Sequence, residues 1–369
     1  MERYDALIVG AGFAGAVLAE RLATELNKKV LIIDKREHLA GHCYDYNNSK
    51  GILIHKYGPH LFHTNDDNVV RYLSQFTQWR PFELRVASYV NGTTYPFPIN
   101  RTTLNQFFKV NLQTETAAEN FLAKLRQPIP DPQNAEEAVL ARAGTELYNS
   151  FFKNYTIKQW QCDPKELDAS VTMRIPIRVN TDDRYLTENF QAVPLEGYAR
   201  LFSHLLDNPK ITIELETNFT DIKDRVAYNY LIYTGCIDEF FDYKLGRLSY
   251  RSLEFKEEHY RQKRFQAYPT VNYPNDYDFT RIVEYKHITG QLAPWTTIIK
   301  EYPRSEGEPF YPVPTPYDRE IYEKYKLKAE KLKNVFFIGR LAQYRYLNMD
   351  QVVKEALDSF SRLKEYLAN

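Results

Sequence analysis

Three glycines near the start of the chain have the spacing Gly-x-Gly-x-x-Gly, which is typical of a turn that binds a dinucleotide. Gly10 permits a tight turn, Gly12 lets the backbone approach a pyrophosphate, and Gly15 lets helix and strand pack closely. The start of the following helix adds positive potential. Asp34 follows at the distance where an acid hydrogen-bonds a ribose. NAD and FAD share this pattern, so the glycines alone leave both cofactors open.

Three later segments favour FAD over NAD. Residues 39–42 resemble the glycine-containing loop that follows the acid in FAD folds of the glutathione-reductase type. Residues 231–235 resemble the intervening strand of that fold, and residues 335–340 resemble its second FAD-binding element. An ordinary turn explains any one of them, but three in this order favour FAD.

These motifs need a parallel sheet with helices to position them. Residues 5–9 and 30–33 are apolar runs typical of buried parallel strands, and residues 16–26 between them have helical spacing. Residues 82–99 and 246–300 alternate apolar and polar side chains, which predicts antiparallel strands of one sheet. The other predicted elements are helices at 104–127, 135–160, 321–333 and 352–367, a proline-rich break at 128–132, and a strand at 334–339.

The predicted fold class is therefore α/β, with an FAD-binding, Rossmann-like domain of the glutathione-reductase type, a helical subdomain and an antiparallel β-sheet domain. The FAD-binding domain and the sheet domain are each assembled from separated parts of the chain, whereas the helical subdomain is continuous. The predicted segments are 1–78, 183–240 and 316–369 for the FAD-binding domain, 79–100 and 241–315 for the sheet domain, and 101–182 for the helical subdomain.

Composition excludes several classes of partner. The 369 residues include 48 Lys and Arg against 48 Asp and Glu, so no basic excess exists to bind nucleic acid or an anionic membrane. Three cysteines without Cys-x-x-Cys spacing indicate neither a disulfide framework nor a zinc site. His60 and His63 lack a nearby third ligand, so no metal is expected. The acidic start argues against a signal peptide, and we expect a cytoplasmic protein.

The segment 57–64, Tyr-Gly-Pro-His-Leu-Phe-His-Thr, resembles a signature of the prokaryotic UDP-galactopyranose mutase family. The resemblance extends over essentially the whole chain. Further matching blocks are residues 95–100, 151–160, 171–178, 183–185, 194–198 and 344–350.

The resemblance implies an isomerase that interconverts UDP-galactopyranose and UDP-galactofuranose with no net redox change. It implies FAD that is active when reduced, and a covalent adduct between the reduced flavin N5 and the sugar. It also implies UDP-galactose as the substrate, NAD(P)H or another reductant for the flavin, a homodimer, and a role in galactofuranose biosynthesis for cell-surface polysaccharide.

The family match assigns roles to individual residues. Arg174 and Arg281 match the two arginines that bind the diphosphate, Tyr155 matches a side chain that stacks on uracil, and His63 is expected to influence flavin and sugar geometry. The segment 165–170 before Arg174 is expected to be a mobile loop. The catalytic residues are Arg174, Arg281 and His63; the substrate-binding residues are Phe151, Phe152, Tyr155, Thr156, Gln159, Trp160, Tyr185, Tyr311, Tyr346 and Asn348.

The cofactor residues come partly from the glycine motif and partly from the family match, in which Arg340 lies near the flavin pyrophosphate. Tyr346 is assigned to both the cofactor and the substrate. The cofactor-binding residues are Gly10, Gly12, Phe13, Ala14, Gly15, Asp34, Lys35, Gly41, His42, His60, Phe219, Gly339, Arg340, Tyr346 and Met349.

One position departs from the family pattern. Asn348 stands where the family has an aspartate, so a carboxylate near the sugar has become an amide. This change leaves open an enzyme that accepts an N-acetylated sugar, UDP-N-acetylgalactosamine. The FAD elements are also compatible with an amine-oxidase-like FAD oxidoreductase and with a non-catalytic nucleotide-sugar binder. Glu301 belongs to the cleft by position, but the sequence assigns it no role.

Overall fold

The computed structural model describes residues 2–368. Its first sheet is entirely parallel, and its second strand in chain order, Val30–Ile33, is a fully buried apolar run, as expected for a strand covered on both faces. The strand order is Ile211–Glu214, Val30–Ile33, Arg3–Val9, Ala227–Tyr233 and Val335–Phe337. This is the Rossmann-like sheet that the sequence predicts.

Helices on one face of this sheet build the largest core. The helix after the glycine turn, Phe13–Leu26, packs against the last helix, Met349–Ala368, and against Tyr198–Leu205. Asn27 ends the first helix in a left-handed conformation, as a C-terminal cap residue does. Both long helices begin at the carboxyl edge of the sheet, where ligands of such folds bind.

The second sheet has seven strands and joins the two segments that the sequence assigns to one sheet. Its order is Tyr311–Pro312, Tyr250–Tyr260, Thr296–Arg304, Arg281–Glu284, Thr270–Asn272, Val86–Val90 and Thr93–Phe97. The prediction of antiparallel strands is wrong at one pairing, because Thr270–Asn272 runs parallel to Val86–Val90. A sheet assembled from distant segments can be joined in either direction, since no hairpin sets the orientation at that junction.

The middle of the chain is helical, but it is broken more often than predicted. Lys109 adopts a left-handed conformation and ends the first helix, so the predicted helix at 104–127 is two helices. Gly144 likewise interrupts the predicted helix at 135–160. The helical segments are Arg101–Phe108, Glu115–Leu125, Ala135–Ala143, Thr145–Leu147, a π-helical turn at Tyr148–Lys153, Asn154–Trp160 and Ser170–Met173.

The structure also contains two small sheets. Phe62–Thr64, Phe190–Pro194 and Trp79–Pro81 form one, and Asp45–Asn47 pairs with Leu53–His55 in the other. The predicted helix at 321–333 begins earlier, at Pro316, because Thr315 caps it. The remaining helices are Asp67–Leu73, Phe219–Ile222, Ile237–Phe240, Tyr285–Thr289 and Pro316–Ala329, with 3-10 turns at Gly41–Cys43 and Pro164–Glu166.

Within residues 2–368, no helix is long and apolar enough to cross a membrane. The same part of the chain contains no group of three or more His, Cys, Asp or Glu side chains arranged to hold a metal ion. All three cysteines are free thiols.

Candidate functional site

The glycine turn lies between the strand Arg3–Val9 and the helix Phe13–Leu26, as the motif predicts. A Cβ on Gly15 would overlap the carbonyl oxygen of Gly10, so Gly15 serves close packing beneath the turn. Gly12 meets only Gly41, whose own Cβ would lie 3.0 Å from the Gly12 Cα. Two backbone segments therefore approach without side chains and leave a bare cradle at a helix N-terminus, which suits a pyrophosphate.

Asp34 ends the second strand and is almost fully buried. Its Oδ2 accepts a hydrogen bond of 2.9 Å from the backbone N–H of Ala11, and its Oδ1 accepts one of 3.0 Å from that of Arg36. The Arg36 guanidinium also contacts Oδ1, His42 and the carboxylate of Glu308. Burial opposes ionisation of Glu308, but hydrogen bonding to His42 and the charge of Arg36 hold its pKa at about 2.

Two adjoining cavities run along the carboxyl edge of the parallel sheet and share Gly10, Asp34 and Arg36. One continues towards Lys35 and Phe219, and the other towards His60 and Arg340. Together they form an elongated channel that suits a dinucleotide. The predicted cofactor residues on these walls are Gly10, Gly12, Phe13, Ala14, Asp34, Lys35, Gly41, His42, His60, Phe219, Gly339, Arg340 and Met349.

Two predicted cofactor residues lie outside this channel. Gly15 is beneath the turn, and Tyr346 lines the neighbouring cleft instead. Arg36 lines both cavities but was not among the predicted residues. Its position, two residues after Asp34, is the signal that could have identified it.

His60 stands at the inner end of the channel in a turn made by Gly58 and Pro59. Its Nδ1 lies 2.8 Å from the carbonyl oxygen of Gly58, and its backbone N–H donates to Nδ1 of His55 over 2.9 Å. Because His55 Nδ1 accepts this bond, its neutral ring carries the proton on Nε2. Burial lowers the pKa of His55 to about 3 and the pKa of His60 well below its usual range. Both rings are uncharged at neutral pH.

A cleft of about 370 Å³ lies between the helical layer, the seven-stranded sheet and the channel. The π-helical turn at Tyr148–Lys153 shifts the helix register and directs the buried Phe151 and Phe152 towards it. The structure brings together every predicted catalytic and substrate residue in this cleft: Phe151, Phe152, Tyr155, Thr156, Gln159, Trp160, Tyr185, Tyr311, Tyr346, Asn348, Arg174, Arg281 and His63.

Tyr346 links the cleft to the channel. Two guanidiniums approach its ring, that of Arg174 at 5.1 Å from the ring centre and that of Arg340 at 5.2 Å. Tyr311 stacks on the same ring at 5.5 Å. Burial opposes ionisation of Tyr346, but the charges of Arg174, Arg340 and Arg281 outweigh burial and lower the pKa of its hydroxyl. Cations and hydroxyls thus gather at the point where the cleft meets the channel, an arrangement that suits a diphosphate.

Arg281 supplies the second cation of the cleft. Its Nε lies 2.6 Å from Oε2 of Glu301, whose side chain is completely buried. Burial disfavours the cation, but Glu301 and neighbouring tyrosines raise the pKa of Arg281 well above its ordinary value. The other carboxylate oxygen of Glu301 is buried, has no hydrogen-bond partner among residues 2–368, and faces Gly58. Glu301 therefore fixes the direction of the guanidinium and touches the turn that carries His60.

His63 lines the cleft, and its Nδ1 lies 3.1 Å from Oε1 of Glu188. This contact with His63 lowers the pKa of Glu188 to about 2. Glu188 was not predicted, because nothing in its local sequence marks it. The long-range pairing of Phe62–Thr64 with Phe190–Pro194 brings the two residues together.

The segment before Arg174, which was predicted to be a mobile loop, has defined contacts. Asp168 pairs with Arg319 over 3.2 Å and forms an isolated β-bridge with Asn134. Arg174 donates from Nε to the carbonyl oxygen of Val171 over 3.2 Å. The rest of its guanidinium faces the cleft, so it is available to an anion.

Comparisons with known proteins agree with this arrangement. The profile of the UDP-galactopyranose mutase family matches residues 150–346, and that of an NAD(P)-binding Rossmann-like domain matches residues 8–76. The dTDP-fucopyranose mutase of Escherichia coli is 40% identical over 95% of this chain and 96% of its own length. The probable UDP-galactopyranose mutase of Klebsiella pneumoniae is also 40% identical, over 100% of this chain and 97% of its own.

Solved structures agree in fold. A crystal structure of reduced UDP-galactopyranose mutase has a TM-score of 0.81 at 17% identity, and the alignment covers 98% of this chain and 96% of that one. A putative protoporphyrinogen oxidase from Exiguobacterium sp. 255-15 has a TM-score of 0.69 at 12% identity, with 99% and 100% coverage. At these identities the structural likeness shows the fold alone.

Proposed function

Because this chain belongs to the UDP-galactopyranose mutase family, we propose that it is a flavin-dependent isomerase that interconverts UDP-galactopyranose and UDP-galactofuranose. One observation carries the proposal. Arg174, Arg281, Tyr311 and Tyr346 converge in a cleft that opens directly onto the dinucleotide channel. A diphosphate held there leaves its sugar beside the inner end of the channel.

The flavin that we propose is FAD. Its support is the cradle between Gly12 and Gly41 and the elongated channel from Phe219 to His60. When bound and reduced, FAD supplies a nucleophilic N5 for covalent catalysis at the anomeric carbon without net redox change. Gly10, Gly12 and Gly41 would hold its phosphates, Asp34 would face its ribose, and His60 and Arg340 would border its ring. NAD(P)H or another reductant would supply the electrons.

The chain's own residues then have three tasks. Arg174 and Arg281 bind the diphosphate and stabilise it when its bond to the sugar breaks, because guanidinium forks match phosphate oxygens. Tyr155 offers a flat face for uracil at low entropy cost. Gln159 presents to the same base a buried amide oxygen that has no hydrogen-bond partner in the part of the chain that the structure describes. The aromatic walls exclude water, which would otherwise hydrolyse an activated sugar.

Domain roles follow from the same arrangement. We propose that residues 1–78, 183–240 and 316–369 hold the cofactor and also contribute His63, Tyr185, Tyr346 and Asn348 to the cleft. Residues 101–182 and the sheet segments 79–100 and 241–315 hold the substrate. The homodimer and a role in polysaccharide biosynthesis remain proposals that rest on the family.

A specific observation favours a second substrate. The Escherichia coli relative named dTDP-fucopyranose mutase is as similar to this chain as the Klebsiella relative named for UDP-galactopyranose. Asn348 lines the cleft beside Tyr346 and provides an amide where a carboxylate is the family pattern. We therefore propose dTDP-fucose as the second candidate nucleotide sugar, with UDP-N-acetylgalactosamine as a third.

The test is an assay of the purified protein after an absorption spectrum has established bound flavin. The dithionite-reduced enzyme should convert UDP-galactofuranose into UDP-galactopyranose, and the oxidised enzyme should not. Parallel assays with the dTDP-fucose and UDP-N-acetylgalactosamine pairs identify the preferred sugar by kcat/KM. Stoichiometric oxidation of substrate in air without isomerisation would instead indicate an oxidoreductase, and binding without turnover would indicate a nucleotide-sugar binder.

A further inference from the structure

The ammonium group of Lys158 is enclosed by the carbonyl oxygens of one loop. Its Nζ donates to the carbonyl oxygen of Tyr273 and lies 3.3, 3.2 and 3.1 Å from those of Asp276, Tyr277 and Phe279. An ammonium has three protons to donate, so these carbonyls saturate it. A hydrogen bond to a charged group contributes more than a neutral one. Lys158 is therefore the principal cation that holds the 273–279 loop.

Both ends of that loop reach the cleft. The strand Thr270–Asn272 precedes the loop, and the strand Arg281–Glu284 follows it. Asn272 and Arg281 both line the cleft wall. The loop is therefore continuous with the cleft wall that carries Arg281, whose backbone pairs with Asn272 and Glu301.

Lys158 belongs to the helix on the opposite wall. The helix Asn154–Trp160 also presents Tyr155 and Gln159 to the cleft. Two further hydrogen bonds connect this part of the helical layer to the 273–279 loop. Asn154 donates to Oδ1 of Asn275 over 3.0 Å, and Asn275 donates to the carbonyl oxygen of Ser150 over 2.9 Å.

We propose that Lys158 is a positioning residue that sets the distance between the nucleobase site at Tyr155 and the diphosphate site at Arg281. The inference rests on the proposed function, because it assumes that one nucleoside diphosphate spans both walls. A ligand that spans two sites gains from their correct spacing, whereas a ligand that occupies one site does not. If Lys158 sets this spacing, its removal should weaken the binding of a ligand that reaches both sites more than the binding of a ligand that occupies one site.

The test compares three ligands, UDP, uridine and inorganic pyrophosphate, by titration calorimetry on the flavin-loaded protein. Lys158→Met removes the charge and keeps most of the stem. We expect its Kd for UDP to rise about tenfold, equivalent to about 1.4 kcal/mol, while the Kd values for uridine and pyrophosphate change less than about twofold. Lys153→Met is the matched control, because Lys153 is exposed at the end of the π-helical turn that precedes the Lys158 helix. It should bind all three ligands as the wild type does.

Asn275→Ala provides a second variant that buries no new polar group, so it keeps the inference testable if Lys158→Met does not fold. It should weaken UDP binding by a smaller factor and leave uridine binding unchanged. An unchanged Kd for UDP in Lys158→Met, or an equal loss for UDP and uridine, overturns the spacing role while the proposed function stands. A wild-type protein that binds neither UDP nor uridine overturns the proposed function, and the spacing role with it.

Discussion

The Glu301 carboxylate and the Arg281 guanidinium form a 2.6 Å ion pair in which the acid is completely buried. Removing one partner of a buried pair leaves an uncompensated charge, which costs far more than the pair itself contributes. We expect Glu301→Gln to lower the free energy of unfolding by about 3 kcal/mol, measured by urea denaturation. An unchanged midpoint with an unchanged slope would show that Arg281 does not depend on this carboxylate.

Arg174 lines the cleft, where its guanidinium contacts the Val171 carbonyl oxygen and the Tyr346 ring, so its removal should affect the ligand more than the fold. Arg174→Ala should lower turnover by about a hundredfold, since losing one charge-assisted contact to a phosphate costs about 3 kcal/mol. The flavin absorption spectrum should not change, because Arg174 lies outside the channel. Arg225→Ala, at an exposed arginine outside the cleft, is the control. Loss of flavin from Arg174→Ala would contradict the separation of the two sites.

Substitutions at Gly12 and Gly15 separate two roles of the glycine turn, binding of the cofactor and close packing of the backbone. A Cβ on Gly12 has room in the protein itself but would project into the bare cradle beside Gly41. Gly12→Ala should therefore keep its thermal stability without cofactor and bind FAD at least tenfold more weakly, as measured by fluorescence titration. Gly15→Ala should instead lower the stability of the cofactor-free protein, because its Cβ would overlap the Gly10 carbonyl oxygen. Equal FAD affinity in Gly12→Ala and the wild type would show that the pyrophosphate of FAD does not bind in the cradle between Gly12 and Gly41.

His55 should make stability depend on pH. Its pKa is about 3 in the folded protein because of burial, against an ordinary value of about 6.5 in an unfolded chain. Between these values the unfolded chain binds a proton that the folded protein does not. The contribution of His55 to stability is thus fully present above about pH 6.5. As the pH is lowered below that value, the free energy of unfolding decreases by about 1.4 kcal/mol per pH unit.

His55→Asn places its Oδ1 where Nδ1 of His55 lies, so it can still accept the bond from the His60 N–H, but it does not titrate. Between pH 4 and pH 6, roughly the window set by these pKa values, the slope of unfolding free energy against pH should be shallower by about 1.4 kcal/mol per unit. His42, whose pKa burial lowers to about 4, continues to contribute its own slope in both proteins. Identical slopes would show that the ring of His55 is charged in the folded protein.

Local features of the chain predicted much of this molecule. The glycine turn, the strand before it and the helix after it need only short-range sterics, and the structure confirms all three. The breaks at Lys109 and Gly144 were missed. A left-handed lysine carries no compositional signal, and a glycine within a helical pattern is often tolerated. The parallel pairing of Thr270–Asn272 with Val86–Val90 was missed because the two strands are far apart in the chain.

The sequence by itself determined the chemistry available to this protein. Its glycine motif indicates a dinucleotide, and its matched blocks identify the arginines and tyrosines that meet in one cleft. How these groups are held depends on the tertiary structure, which places Glu301 against Arg281, Glu188 against His63, and Tyr346 beside two guanidiniums. Side-chain types are read directly from the chain, whereas the distance and burial that set their charge arise when distant segments pack together.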